Sequence, residues 1–160
     1  MSAPTAPVTG LAYDARYISE RPTGIGQVCL ELLRGLAAQP DCPDLRVLVN
    51  PETRLPDELR SCPALTISTV PWSPFGLANQ FFLPRYLKRQ RIKLLHSVDG
   101  HNPLLATRTR LIVNVHDLIP LTCPDAMPRN FKARYGWAWK SWLKLQCARA
   151  SRIVCGSKHA

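Results

Sequence analysis

The chain has 160 residues, enough for one domain with a full hydrophobic core and short for two. Its hydrophobic share of 46% and charged share of 20% are those of a folded globular protein, which excludes a disordered or fibrous class, and no apolar run is long enough to span a bilayer. The net charge of +10 is uneven: residues 1–84 carry 6 Lys/Arg against 8 Asp/Glu and residues 85–160 carry 15 against 3, so the second half should attract something anionic, whether nucleic acid, phospholipid or a phosphorylated substrate.

The N-terminal MSAPTAPVTG has neither a basic start nor an apolar stretch, so no signal peptide is expected and a cytoplasmic location is the default. Val8 to Ile18 reads as a strand running into a loop. Gly26 to Ala38 reads as a helix, with Val28, Leu32, Leu33 and Leu36 at helical spacing and Pro40 as its stop. LRVLVN, Leu45 to Asn50, is a short buried strand. PETRLPDELRSCP is a proline-punctuated loop with room for one helical turn, and Leu65 to Val70 is a third strand. Leu77 to Gln90 reads as a helix with Phe81, Leu83 and Leu87 near one face and Pro84 disturbing it. IKLLHSV is a fourth strand, DGHNPLLATRTR a loop, and LIVNVHDLIP opens with a fifth strand. After the proline-rich PLTCPDAMP comes a long helix, Arg129 to Ala150, and SRIVCGS is a sixth strand.

Strands that are continuous apolar runs, alternating with helices, predict an α/β fold: a doubly wound, mostly parallel sheet covered on both faces. Ligands of such sheets sit at the C-terminal ends of the strands. That singles out Gly24 to Gly26, Asp99 to Asn102, His116 with Asp117, and Gly156 with Ser157. The six cysteines form no C-x-x-C pair and none stands at zinc-finger spacing from a His, so free thiols are expected and no metal site.

The glycine loop is not a dinucleotide fingerprint, because Cys29 stands at the third glycine position, and the Gly-Lys-Ser/Thr of a nucleotide-binding P-loop is absent. Two glycines at a helix start let a ligand approach free N–H groups, or serve a turn that needs positive φ. His116 at a strand end can bond a sugar hydroxyl or move a proton, or fill a satisfied slot beside a turn capped by Asp117. Asp99, His101 and Asn102 are turn formers as well as polar ligands, and His96 within an apolar strand reads as a core histidine. In PRNFKARYGWAWKSWLKLQCARA, Phe131, Tyr135, Trp139 and Trp142 can line an apolar stripe with Leu143 and Leu145, and Lys132, Arg134, Lys140, Lys144 and Arg149 supply a basic side. Such a helix suits an anionic membrane surface or docks on its own sheet with its lysines solvated. No nucleic-acid recognition motif accompanies the charge.

In order along nearly the whole chain stand YDARYI, GIGQVCLELLRGLA, LLHSVDGHNPL, LIVNVHDLIPLTCPDAMP, the basic aromatic helix and ARASRIVCGSKHA. This series resembles the N-terminal domain of retaining glycosyltransferases of family four, the group-one type with the GT-B fold; VHDLIPL and ASRIVCGSKHA are its most specific segments. The resemblance implies one Rossmann-like, acceptor-side domain over residues 1–160, with the donor-binding domain lying outside this sequence. It implies that Gly24 and Gly26 approach the donor phosphates and the transferred sugar, and that His116 contacts the sugar at the reaction centre. Asp117, Asp99 and Asn102 fall to the acceptor side, and Ser157 near the cleft. Gln27 stands where the family often has Arg, and no Glu-x7-Glu pair occurs.

The implied activity is transfer of a sugar from a nucleotide-sugar to a glycan or lipid-linked acceptor with retained anomeric configuration, as in polysaccharide biosynthesis. It implies no metal or other cofactor, and inactivity without the donor domain, which a separate chain could supply. A peripheral place on the inner membrane face follows, with Trp137, Trp139, Trp142, Lys140 and Lys144 as surface anchors. A non-catalytic membrane-surface or partner-binding module is the rival reading, a basic nucleic-acid binder the third, and nucleic acid is not expected as a partner. The chain ends at GSKHA where another helix should begin, so the last strand is expected to lack its cover.

Overall fold

A computed structural model describes residues 10–21, 23–116 and 136–156. Its six strands are β1 (Leu11–Asp14), β2 (Leu45–Val49), β3 (Leu65–Thr69), β4 (Leu94–Ser97), β5 (Arg110–Val115) and β6 (Arg152–Cys155). All neighbouring pairs are parallel, in the order β3-β2-β1-β4-β5-β6. The chain steps outward from β1 to β3, crosses back, and steps outward again from β4 to β6. That is the doubly wound, Rossmann-like arrangement, whose crevice opens between β1 and β4.

Helix α1 spans Gly24–Ala37, two residues earlier at its start than the hydrophobic spacing predicts. Thr23 sets that start: its backbone is extended and its hydroxyl accepts the Gly26 N–H at 3.0 Å. The inward face carries Gly26, Cys29 and Leu33, whereas Val28, expected inward, is 39% exposed. The Tyr13 hydroxyl donates to the Cys29 carbonyl at 2.8 Å, pinning α1 to β1. The one helical turn foreseen in the proline-punctuated loop is α2, Asp57–Arg60.

Helix α3 spans Leu77–Arg89 and runs through Pro84. Asn79, Leu83 and Leu87 face inward. Phe81, expected beside them, is 50% exposed, because a residue two positions from Asn79 and Leu83 lies about 200° around the helix from each. The helix ends in a Schellman motif: Ile92 N–H reaches Leu87 O at 2.9 Å and Arg91 N–H reaches Lys88 O at 3.1 Å. Arg91 holds φ at 55° to close it.

Helix α4, Gly136–Arg149, lies within the long helix expected from Arg129; its first seven residues fall outside the described ones. Its apolar residues are spread around the axis rather than gathered in the expected stripe, with Gln146 buried and Trp137 and Leu145 exposed.

Two cores flank the sheet. One holds Tyr13, Val47, Val49 and Leu65 of β1 to β3 with Cys29 and Leu33 of α1 and Leu59 of α2. The other holds Ala12, Leu48, Leu95, Leu111 and Val113 beneath Leu83 and Leu87 of α3, with Ala150 packed against it. At the C-terminal end of β1, Arg16 grips Asp14 through Nε at 2.7 Å and Nη2 at 2.6 Å, with both side chains almost wholly buried. Arg16 also donates to Trp72 O at 3.1 Å and Asn79 Oδ1 at 3.0 Å, tying the β1 loop to α3. No described helix is long and apolar enough to cross a membrane.

Candidate functional site

A cavity of about 280 Å³ opens at the C-terminal ends of β4 and β5, beside the switch point. Ile25 of the glycine loop, Asp99, Gly100 and His101 after β4, and Asn114 to His116 closing β5 line one side. Trp139, Trp142 and Leu143 of α4 form the facing wall.

The loop after β4 is shaped by Asp99. Its carboxylate accepts the Gly100 N–H at 2.7 Å and bonds His101 Nδ1 at 2.7 Å. Burial pushes this carboxyl up, but the hydrogen bond and charge of His101, the Gly100 amide and the His116 charge outweigh it and hold the group below its ordinary value. Asp99 therefore stays a carboxylate and His101 carries its proton on Nδ1. His116 is exposed, and its Nε2 bonds the Val98 carbonyl. A carbonyl only accepts, so Nε2 is the nitrogen that donates, and in the uncharged tautomer Nδ1 is the acceptor.

The loop is anchored by neutral side chains: three amides behind the cavity and one indole of its wall. Asn79 donates to His101 O at 2.9 Å, Gln80 donates to Asn102 O at 3.0 Å and accepts Leu104 N–H at 2.9 Å. Gln146 donates to Asn102 O at 3.1 Å, and the Trp142 indole donates to Gly100 O at 2.8 Å. No motif in the sequence marks Asn79, Gln80 or Gln146. Their signal is a polar residue on the inward face of a helix, visible as a break in the apolar pattern of α3 and α4.

Asp99, His101 and His116 are thus brought together, with the glycine loop adjacent. Asn102 is 1% exposed and spends its amide nitrogen on Asp99 O at 3.2 Å, so it shapes the loop from beneath. Gly24 is exposed at the first turn of α1, with open space where a Cβ would stand. Gly26 is buried, and its N–H is taken by Thr23. A Cβ on Gly26 would lie 2.7 Å from Tyr17 O, so glycine is needed there for close packing of the loop on the helix. No described glycine has positive φ, which removes the turn argument for either. Of the proposed anchors, Trp139 and Trp142 line the cavity, while Trp137, Lys140 and Lys144 are exposed. Asp117 and Ser157 lie outside the described residues.

An aromatic wall facing a carboxylate, an imidazole acceptor and backbone groups suits a polyhydroxylated ring: hydroxyls bond at the edge and C–H faces lie on indole. Among the described residues no three His, Cys, Asp or Glu side chains converge as a metal cage. Comparison with curated proteins and with solved structures gave no match. The sequence model of Glycosyltransferase Family 4 matches residues 22–160, which takes in the glycine loop, both strand-end loops and the aromatic wall. With so much of its length matched, the chain belongs to Glycosyltransferase Family 4.

Proposed function

We propose that the cavity between β4, β5 and α4 binds the acceptor sugar of a glycosyl transfer. The observation that carries this reading is the pairing of Trp139 and Trp142 with Asp99, His101 and His116 across one opening at the strand ends. His116 contacts a sugar hydroxyl at the reacting end through Nδ1, since Nε2 is spent on the Val98 carbonyl, and Gly24 leaves the start of α1 open to the donor phosphates. The donor is a nucleotide-sugar held mostly by a second domain, transfer retains the anomeric configuration, and the acceptor is a glycan or a lipid-linked sugar. Without the donor domain the chain is inactive.

Membrane attachment narrows to Trp137, 76% exposed, with Lys140 and Lys144 beside it on α4. The test of the sugar site is a titration of the isotope-labelled chain with methyl glycosides and short oligosaccharides of glucose, mannose, galactose and N-acetylglucosamine. The expected result is a shift of the Gly100 and Ile25 amide signals with one sugar class, abolished in His116→Ala and weakened in Asp99→Asn. Shifts that fall elsewhere, or none with any sugar, would overturn the assignment.

A further inference from the structure

The segment WSPFG, Trp72 to Gly76, joins β3 to α3 and presents one aromatic ring. Ser73 Oγ accepts the Phe75 N–H at 3.2 Å, a serine turn that fixes where Phe75 leaves the backbone. The Phe75 ring stands edge-to-face with His101 of the loop after β4, the centroids 4.9 Å apart and the planes at 75°. It meets Tyr17 of the loop after β1 in the same way, at 5.6 Å and 86°. Tyr17 is buried in the core, so the far end of this row of rings is fixed.

The backbones that carry Phe75 and His101 are held by a single amide. Asn79 Nδ2 donates to Pro74 O and to His101 O, both at 2.9 Å. Arg16 holds that amide in turn through Asn79 Oδ1 at 3.0 Å, and reaches Trp72 O at 3.1 Å. The two loops are therefore one unit, and what is left to fix is the imidazole itself. Asp99 takes its Nδ1 at 2.7 Å, which restrains one atom, and the torsion that turns a histidine ring has broad minima. The Phe75 contact restrains the plane. Together they set the ring that His101 presents to the cavity, across from Trp139 and Trp142, although Phe75 is not part of the cavity lining.

Leucine would cover Tyr17 as well as phenylalanine does, but an edge-to-face pair needs an aromatic partner. We infer that Phe75 is a positioning residue of the acceptor site: it keeps the His101 imidazole aligned with Asp99, so the loop after β3 shapes a cavity it does not line. This role rests on the acceptor reading of that cavity, and the state of the imidazole can be measured without any sugar.

Nitrogen-15 spectra of the imidazoles at about pH 8, above the ordinary histidine range, report which ring nitrogen carries the proton. In the native chain the two His101 nitrogens should be widely separated, with the proton on Nδ1; His101→Gln assigns them. Phe75→Leu should draw them together as the Nδ1–H form loses its hold, leave the His116 nitrogens in place, and weaken the sugar-induced shift of the Gly100 amide severalfold. Phe75→Tyr should restore both the separation and the sugar response, and Phe75→Met serves if the leucine variant does not fold. Native His101 nitrogens in Phe75→Leu, an equal change in Phe75→Tyr, or an undiminished sugar response beside altered nitrogens would each overturn the proposal. A native chain that responds to no sugar overturns the acceptor reading, a different failure from unchanged His101 nitrogens.

Discussion

A methyl group added at Gly26 would sit 2.7 Å from the Tyr17 carbonyl, a backbone atom that cannot step aside. Gly26→Ala should therefore lower stability by about 1–3 kcal/mol in urea unfolding, the range of an overpacked site. Gly24→Ala, with open space at its Cβ, should leave stability within about 0.5 kcal/mol. Equal losses at the two positions would contradict this division of labour. His96 offers a pH test. Burial depresses its imidazole below the ordinary value and outweighs the Asn114 hydrogen bond, which raises it. The unfolded chain then binds a proton at higher pH than the folded one, so stability is full above about pH 6.5 and falls as pH drops toward the folded value. The unfolding midpoint should decline between about pH 7 and pH 5, and His96→Gln should flatten that slope. An unchanged slope would assign the acid sensitivity elsewhere. His96 read as a core histidine from its position in an apolar strand; it is half-buried, its ring edge-on to Tyr13 and its Nε2 on Asn114. The Asp14–Arg16 clamp was not legible: two charges one residue apart read as a solvated turn, and only the fold brings Trp72 and Asn79 to the guanidinium.

At the scale of elements, the strands and their parallel order follow from apolar runs separated by helical spacing, and the boundaries held to within a few residues. The faces of the helices were harder. Val28 and Phe81 fit a helical period but lie outward, because Cys29 and Asn79 are committed inward by partners far along the chain. The close of α3 was also hidden, since the left-handed position of its Schellman motif is filled by Arg91 rather than glycine. Arg91→Gly should remove the side-chain penalty of φ 55° and raise stability by up to about 1 kcal/mol in chemical denaturation. A loss of stability would show that the Arg91 side chain contributes more than its backbone strain costs.

For the whole molecule, part of the charge split visible in the sequence gathers where Lys93, Arg108, Arg110 and Arg152 line one opening at the N-terminal ends of β4 to β6, a placement that needed the strand register. Thiol chemistry gives a measure of how the two cores hold. Cys29 is fully buried and burial pushes its thiol up to about 12, whereas Cys155 at the sheet edge is exposed. N-ethylmaleimide at neutral pH should label Cys155 within minutes and Cys29 only at the rate of unfolding, read by peptide mass after timed quenching. Early labelling of Cys29 would mean that α1 lifts from β1 without global unfolding.

The bond from the Trp142 indole to the Gly100 carbonyl makes the candidate site its own optical reporter. Of the four tryptophans, Trp72 packs against Phe82 and Tyr86 on α3 and Trp137 is already in solvent, so neither answers to the cavity. A ligand that lays a sugar ring on Trp139 and Trp142 dehydrates both indoles and moves their emission to shorter wavelength. One that pries the Asp99–His101 loop away breaks the Trp142 bond and moves it to longer wavelength. The colour of the emission then tells whether the pocket receives its guest as built or must first be opened.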